Sequence, residues 1–232
     1  DHIPYALRRK IPGLLALIAT PQAAGVLGNS LIQSDPGLRY DVVKGLNKLR
    51  LRDTGLAPPR AEVEDMFQAE VMGYYRSFQI LAAFDQKAGL THRSWETESV
   101  LIRALRERME HELERIFRLL GLFYPPRDIH NAHAGLISGR TQLQANSLEV
   151  LENLLRPEHY RLLAYGLDPE FSLQERLSFA QHLCRTSVES KAEALRILLS
   201  SEDRWLSACA LHEIGLARVA ELTDDVRQVP HH

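Results

Sequence analysis

The chain has 232 residues, 45% of them hydrophobic and 25% charged, with a formal net charge of −2 at pH 7. That balance excludes a disordered segment, and no run approaches the ~18 consecutive apolar residues a membrane span needs. Residues 1–60 hold nine Lys/Arg against four acids, whereas the remainder holds 19 against 26, so only the N-terminal end is basic.

In chain order, Leu7, Ile11, Leu14, Leu15 and Ile18 recur at three- and four-residue steps, the spacing that builds one apolar stripe on a helix. Thr20-Pro21 reads as an N-cap followed by a proline at the first helical position, and Ala24, Leu27 and Leu31 continue a second helix. Asp35-Pro36 repeats that start signal before a third helix carrying Leu38, Val42, Val43, Leu46 and Leu49. The turn around Gly55 and Pro58-Pro59 ends this group, because consecutive prolines cannot continue a helical ladder.

Two longer helices are then expected. One runs from Glu62 to about Phe84 with Val63, Phe67, Val71, Tyr74, Tyr75 and Phe78 in helical spacing. The other runs from about Trp95 to Leu122 with Leu101, Leu105, Met109, Leu113 and Phe117. They are expected to pair as an antiparallel hairpin across the Gly89–Ser94 connection. Tyr124-Pro125-Pro126 closes the hairpin, and shorter helices follow to the end. No Val/Ile/Thr-rich alternating run is present, so strands are not expected.

Three of the short helices align. Asp35-Pro36-Gly37-Leu38, Arg140-Thr141-Gln142-Leu143 and Asp203-Arg204-Trp205-Leu206 each lead into a helix. Apolar residues match at Leu38/Leu143/Leu206, Val43/Leu148/Leu211 and Leu46/Leu151/Ile214. Each is preceded by another amphipathic helix, at Ala24–Ile32, Ile129–Ile137 and Ala192–Leu199. A two-helix unit cannot bury its apolar face alone, so recurrence of such units implies stacking. The intervals of 105 and 63 residues are not multiples of one repeat length, which places the long hairpin as an interruption of the array.

The pair from Thr20-Pro21 to Asp35-Pro36-Gly37-Leu38-Arg39-Tyr40 resembles a HEAT repeat, whose second helix commonly opens with Asp-Pro and a following Leu-Arg. Leu113-Glu114-Arg115-Ile116-Phe117-Arg118 with Tyr124-Pro125-Pro126, and Trp205-Leu206 with Ala208-Cys209-Ala210-Leu211, resemble the soluble HEAT-repeat region of bacterial membrane proteins. In those proteins the region follows a transporter-like domain related to ADP/ATP translocases or to the major facilitator group, and it sometimes precedes a cyclic-nucleotide-binding domain. The second and third units depart from the pattern, with Leu143-Gln144 and Leu206-Ser207 in place of Leu-Arg, so no shared role passes from Arg39 to them. The expectation is an all-α, HEAT-like α-α superhelix, armadillo-like, as one domain over 1–232. It comprises N-terminal repeat helices at 1–55, a long hairpin at 60–123 and C-terminal repeat helices at 126–225.

Candidate chemistry is sparse. His130 and His133 share a helix face, but no HExxH frame or nearby carboxylate completes a metal set. Glu70 is placed to face Glu107, Glu110 or Glu114 across the hairpin, as in di-iron bundles. The Glu-x-x-His those sites need is missing, and Arg106, Arg108 and Arg115 are on hand as salt-bridge partners. There is no GxGxxG, GxxxxGK[ST] or GxSxG, and Gly135-Leu136-Ile137-Ser138-Gly139 reads as a helix end plus a turn. Cys184 and Cys209 read as reduced core thiols. The chain begins with Asp1 and ends in His231-His232, which reads as a piece of a longer protein with a purification remnant.

No catalytic residue, cofactor or metal is therefore expected, and the chain reads as a scaffold rather than an enzyme. Partners would be proteins or other domains of the same chain. The basic end, Arg8, Arg9, Lys10, Lys44 and Lys48, is the candidate surface for a partner or an anionic membrane, at the cytoplasmic face beneath a parent transmembrane domain. A free-standing nucleic-acid-binding or DNA-repair HEAT-like protein is the alternative; the acidic remainder and the lack of interleaved aromatics argue against it. A repeat-type lyase acting on a bound chromophore would need a pocket that no motif marks.

Overall fold

The computed structural model describes residues 3–32, 35–56, 58–84, 99–217 and 219–228. All secondary structure among them is helical. The α-helices are α1 (Tyr5–Arg8), α2 (Ile11–Ile18), α3 (Pro21–Asn29), α4 (Pro36–Arg52), α5 (Arg60–Phe84), α6 (Val100–Phe123) and α7 (Pro126–Leu136). They continue with α8 (Thr141–Leu154), α9 (Pro157–Leu167), α10 (Leu173–Cys184), α11 (Lys191–Leu199), α12 (Arg204–Ala217) and α13 (Thr223–Gln228). The expected Gly89–Ser94 connection, the Trp95 start and the terminal histidines lie outside the described residues.

Local chemistry sets most boundaries. Thr20 Oγ1 accepts the Ala23 N–H and Asp35 Oδ1 the Leu38 N–H, so both predicted caps satisfy donors that the first helical turn leaves orphaned. Ser172 and Glu175 form a reciprocal capping box at α10. Gly139, at φ 71°, supplies the left-handed residue in the turn after α7. The first predicted helix is instead two, α1 and α2, with Pro12 in the first turn of α2. Its apolar stripe does form, but it faces outward: Leu7 is 52% exposed, Leu14 58% and Ile18 61%.

The chain divides into two compact units whose boundaries fall within α5, α6 and α9. The first comprises residues 1–71 and 112–164. There α2 packs against α3 and α4, and α7 against α8. Gly45 permits the α2–α4 approach, since a Cβ there would stand 2.9 Å from the Pro12 carbonyl oxygen. The paired portions of α5 and α6 run antiparallel: Phe67 meets Phe123 edge-on at 6.4 Å, while Glu70 bonds Arg115. Leu27, Leu46, Phe67, Ile116, Leu120 and Leu151 are fully or almost fully buried.

The second unit comprises residues 72–111 and 165–232. Here α11 packs on α12 and α13. The Tyr74, Tyr75 and Phe78 stripe is core, and Tyr75 meets Phe179 edge-on at 5.2 Å. Cys184 and Cys209 are buried free thiols, both pushed up in pKa chiefly by burial.

The three helix pairs aligned in the sequence, α3/α4, α7/α8 and α11/α12, are each in contact. Leu46, Leu151 and Ile214, at one matched position, are all buried. At another matched position Leu206 is buried but Leu143 is 40% exposed.

Candidate functional site

The basic N-terminal end is sorted by what each cation touches. Arg9 Nε donates to Asp41 Oδ2 at 2.6 Å, and the Tyr5 hydroxyl donates to Asp35 Oδ1 at 2.9 Å. These two bonds tie α1 to α4. Arg52 donates to the carbonyls of Ala16 and Leu17 at 3.1 and 3.0 Å, capping the C-terminus of α2. Arg50 reaches the carbonyls of Gly121, Phe123 and Tyr124, where it does the same for α6. Arg60 lies over the Phe123 ring.

That leaves four of the expected surface residues facing outward: Arg8, Lys10, Lys44 and Lys48 are exposed. Arg8 stands over the Tyr5 ring at 5.5 Å, and Lys44 over the Tyr40 ring at 5.9 Å. Arg9, although exposed, is a strap and belongs to the internal set.

Arg39 and Arg115 converge on one carboxylate. Arg39 Nε lies 3.1 Å from Glu70 Oε1, and Arg115 Nε lies 3.0 Å from Oε2, with Glu70 buried. Beside this triad, Glu114 Oε1 accepts from Tyr40 Oη at 3.0 Å and from Arg118 Nη2 at 2.6 Å. Burial alone would raise the Glu114 carboxyl, but the bonds from Arg118 and Tyr40 outweigh it and hold the pKa low. Glu70 and Glu114 are thus held by arginines in a charge network. Glu107 and Glu110 fall in the second unit, where Arg108 pairs with Asp203 at 3.8 Å.

A further cluster was not legible from the sequence. The Tyr124 hydroxyl accepts the Arg156 N–H at 3.0 Å and shares a hydrogen bond with His159 Nδ1 at 2.9 Å. His159 Nε2 lies 2.8 Å from Glu64 Oε1 and 2.7 Å from Arg156 Nη2, which also donates to Glu64 Oε2 at 2.7 Å. Burial against Phe67 and Phe123 lowers the His159 pKa despite Glu64, and the adjacent Arg156 cation works in the same direction. The Glu64 carboxyl is held low, because the bonds from His159 and Arg156 exceed the effect of its own burial.

This Tyr–His–Glu order resembles a nucleophile–base–acid relay, but its hydrogen-bond capacity is spent internally. The imidazole is 1% exposed, and the tyrosine oxygen accepts a backbone N–H that fixes the start of α9. The arrangement fastens α5, the end of α6 and α9 together within the first unit. Its members are separated by up to 95 residues, so no local spacing links them.

His130 is exposed, whereas His133 is half-buried with its ring 4.7 Å from that of Phe117. Burial lowers the His133 pKa. Among the described residues no three His, Cys, Asp or Glu side chains converge as a metal-binding group. No described helix is long and apolar enough to cross a membrane. No family model, curated protein or solved structure matches the chain.

Proposed function

We propose that this chain is a non-catalytic helical-repeat scaffold, a HEAT-like α-α superhelix that couples protein partners or other domains of its own polypeptide. The observation that carries this reading is the recurring two-helix unit. The α3/α4, α7/α8 and α11/α12 pairs each pack together and bury the same position of their second helix, at Leu46, Leu151 and Ile214. Such units gain stability only by sharing cores with neighbours, which leaves extended outer surfaces for binding.

The ionisable groups support the same reading. Glu64, Glu70 and Glu114 are committed to internal arginine, histidine and tyrosine partners. A general acid or base must instead present an available proton site to a substrate.

The resemblance in the sequence assigns the scaffold to the cytosolic region of a larger bacterial transporter-like membrane protein. Fractionating the source cells tests that assignment. The polypeptide carrying this sequence is expected in the membrane fraction with a mass well above the 26.3 kDa of these 232 residues. Recovery as a free chain of that mass, with salt-sensitive duplex binding, would replace it with the nucleic-acid reading.

A further inference from the structure

Helix α2 is apolar on two opposite faces. Pro12 and Ala16 are buried, with Pro12 against α4. At about 100° per residue, Ile11, Leu14, Leu17 and Ile18 fall on the opposite arc. Leu14, Leu17 and Ile18 are each more than half exposed, and Ile11 is 40% exposed. Lys10 precedes the helix with helical backbone angles, and its carbonyl accepts the Leu14 N–H, so it extends the same outward row. On α1, Leu7 is exposed beside Arg8, and Tyr5 is 44% exposed.

The anions around this face are engaged. Asp41 holds Arg9, and Asp35 holds Tyr5 and the α4 cap. Asp53 accepts the Gly55 N–H beyond α4. Arg8 and Lys10 thus flank a bare apolar row with no ion-pair partner among the described residues. This combination, an outward apolar face bordered by cations with an amphipathic tyrosine at its edge, is the physical signature of a helix lying in a bilayer interface.

We propose that α1 and α2 dock this end of the chain onto an anionic lipid surface. Ile11, Leu14, Leu17 and Ile18 enter the headgroup–acyl boundary, and Arg8 and Lys10 meet lipid phosphates. A second copy of the chain suits the face less well. An eight-residue helix is only ~12 Å long, and its row falls well short of the ~800 Å² per partner of a stable interface. A nucleic acid would reward the cations but leave the apolar row bare. Docking needs only the α1–α2 surface and is independent of what the rest of the chain couples.

Co-sedimentation of the full chain with phosphatidylcholine vesicles, and with vesicles mixing equal parts of phosphatidylcholine and phosphatidylglycerol, tests this. Binding is expected only to the mixed vesicles and should weaken as salt rises. The Leu14→Ser/Leu17→Ser variant should lose that binding while keeping the wild-type circular-dichroism melt, because both side chains are exposed. Arg8→Gln and Lys10→Gln should each weaken it by roughly fivefold. Absence of binding at low salt, or binding that survives Leu14→Ser/Leu17→Ser, would overturn the proposal. So would sedimentation equilibrium showing a dimer that this variant abolishes without any vesicle binding, which would assign the row to a second copy.

Discussion

Arg8 and Arg9 are neighbours of the same type with different fates, because only Arg9 finds a carboxylate, Asp41 on α4. The partner lies 32 residues away, so a count of basic residues identifies the charged end without separating strap from surface. Glu70 shows the same dependence on context. Read alone it is a candidate metal ligand; between Arg39 and Arg115 it is the counter-ion for two partly buried cations. Replacing it leaves both guanidinium groups without that carboxylate in a poorly solvated site. Glu70→Gln should therefore cost about 3–5 kcal/mol, the usual range for breaking a buried ion pair from one side, measured by denaturant titration. Wild-type stability in this variant would mean that the triad is solvated and energetically idle.

At the scale of elements, the caps were legible because their chemistry is local. Thr20 and Asp35 each bond an N–H three residues on, and a proline fits the first turn because it lacks the donor that would otherwise be orphaned. The long helices were legible from sustained periodicity; of the three matched positions, only Leu46/Leu151/Ile214 is buried in all three pairs. What periodicity does not encode is the direction in which a stripe faces. Leu7, Leu14 and Ile18 keep the spacing of a core stripe, yet α2 buries the smaller Pro12 and Ala16 instead, where Gly45 lets α4 approach. The break between α1 and α2 also escapes a spacing argument, since the apolar residues keep step across it. On α6, by contrast, the predicted face is inward. Phe117→Ala should destabilise the first unit by about 3–5 kcal/mol, and a thermal melt unchanged by this substitution would remove Phe117 from the core.

For the molecule as a whole, the buried His159 and the half-buried His133 set a pH dependence. His159 and His133 are held below the ordinary imidazole value of about 6.5, chiefly by burial. The native chain keeps them neutral where the unfolded chain takes up protons, so the unfolded state binds more protons as pH falls through that value. Stability should then drop on acidification below about 6.5 and level off once the native values are passed. Glu64, held low, adds a separate loss that begins only below the ordinary glutamate value of about 4.3. A His133→Gln/His159→Gln variant should flatten the first window and leave the second; a pH–stability curve unchanged by it would contradict the buried-neutral assignment. The Tyr124–His159–Glu64 cluster behind part of this behaviour depends on topology, because its members come from three helices or their ends.

The bare apolar face of α2, on which the proposed docking surface rests, is tested most directly by thiol labelling. The native Cys184 and Cys209 are buried, so the background is low. Leu17→Cys and Ala16→Cys are adjacent positions about 100° apart around α2, one exposed at 62% and the other buried at 1%. Under native conditions, Leu17→Cys should react with a maleimide at close to the rate of an unfolded peptide, while Ala16→Cys should be strongly protected. Protection of Leu17→Cys would mean that the row is covered and that this end is not the free surface described; equally fast rates would mean that the other face of α2 is not packed.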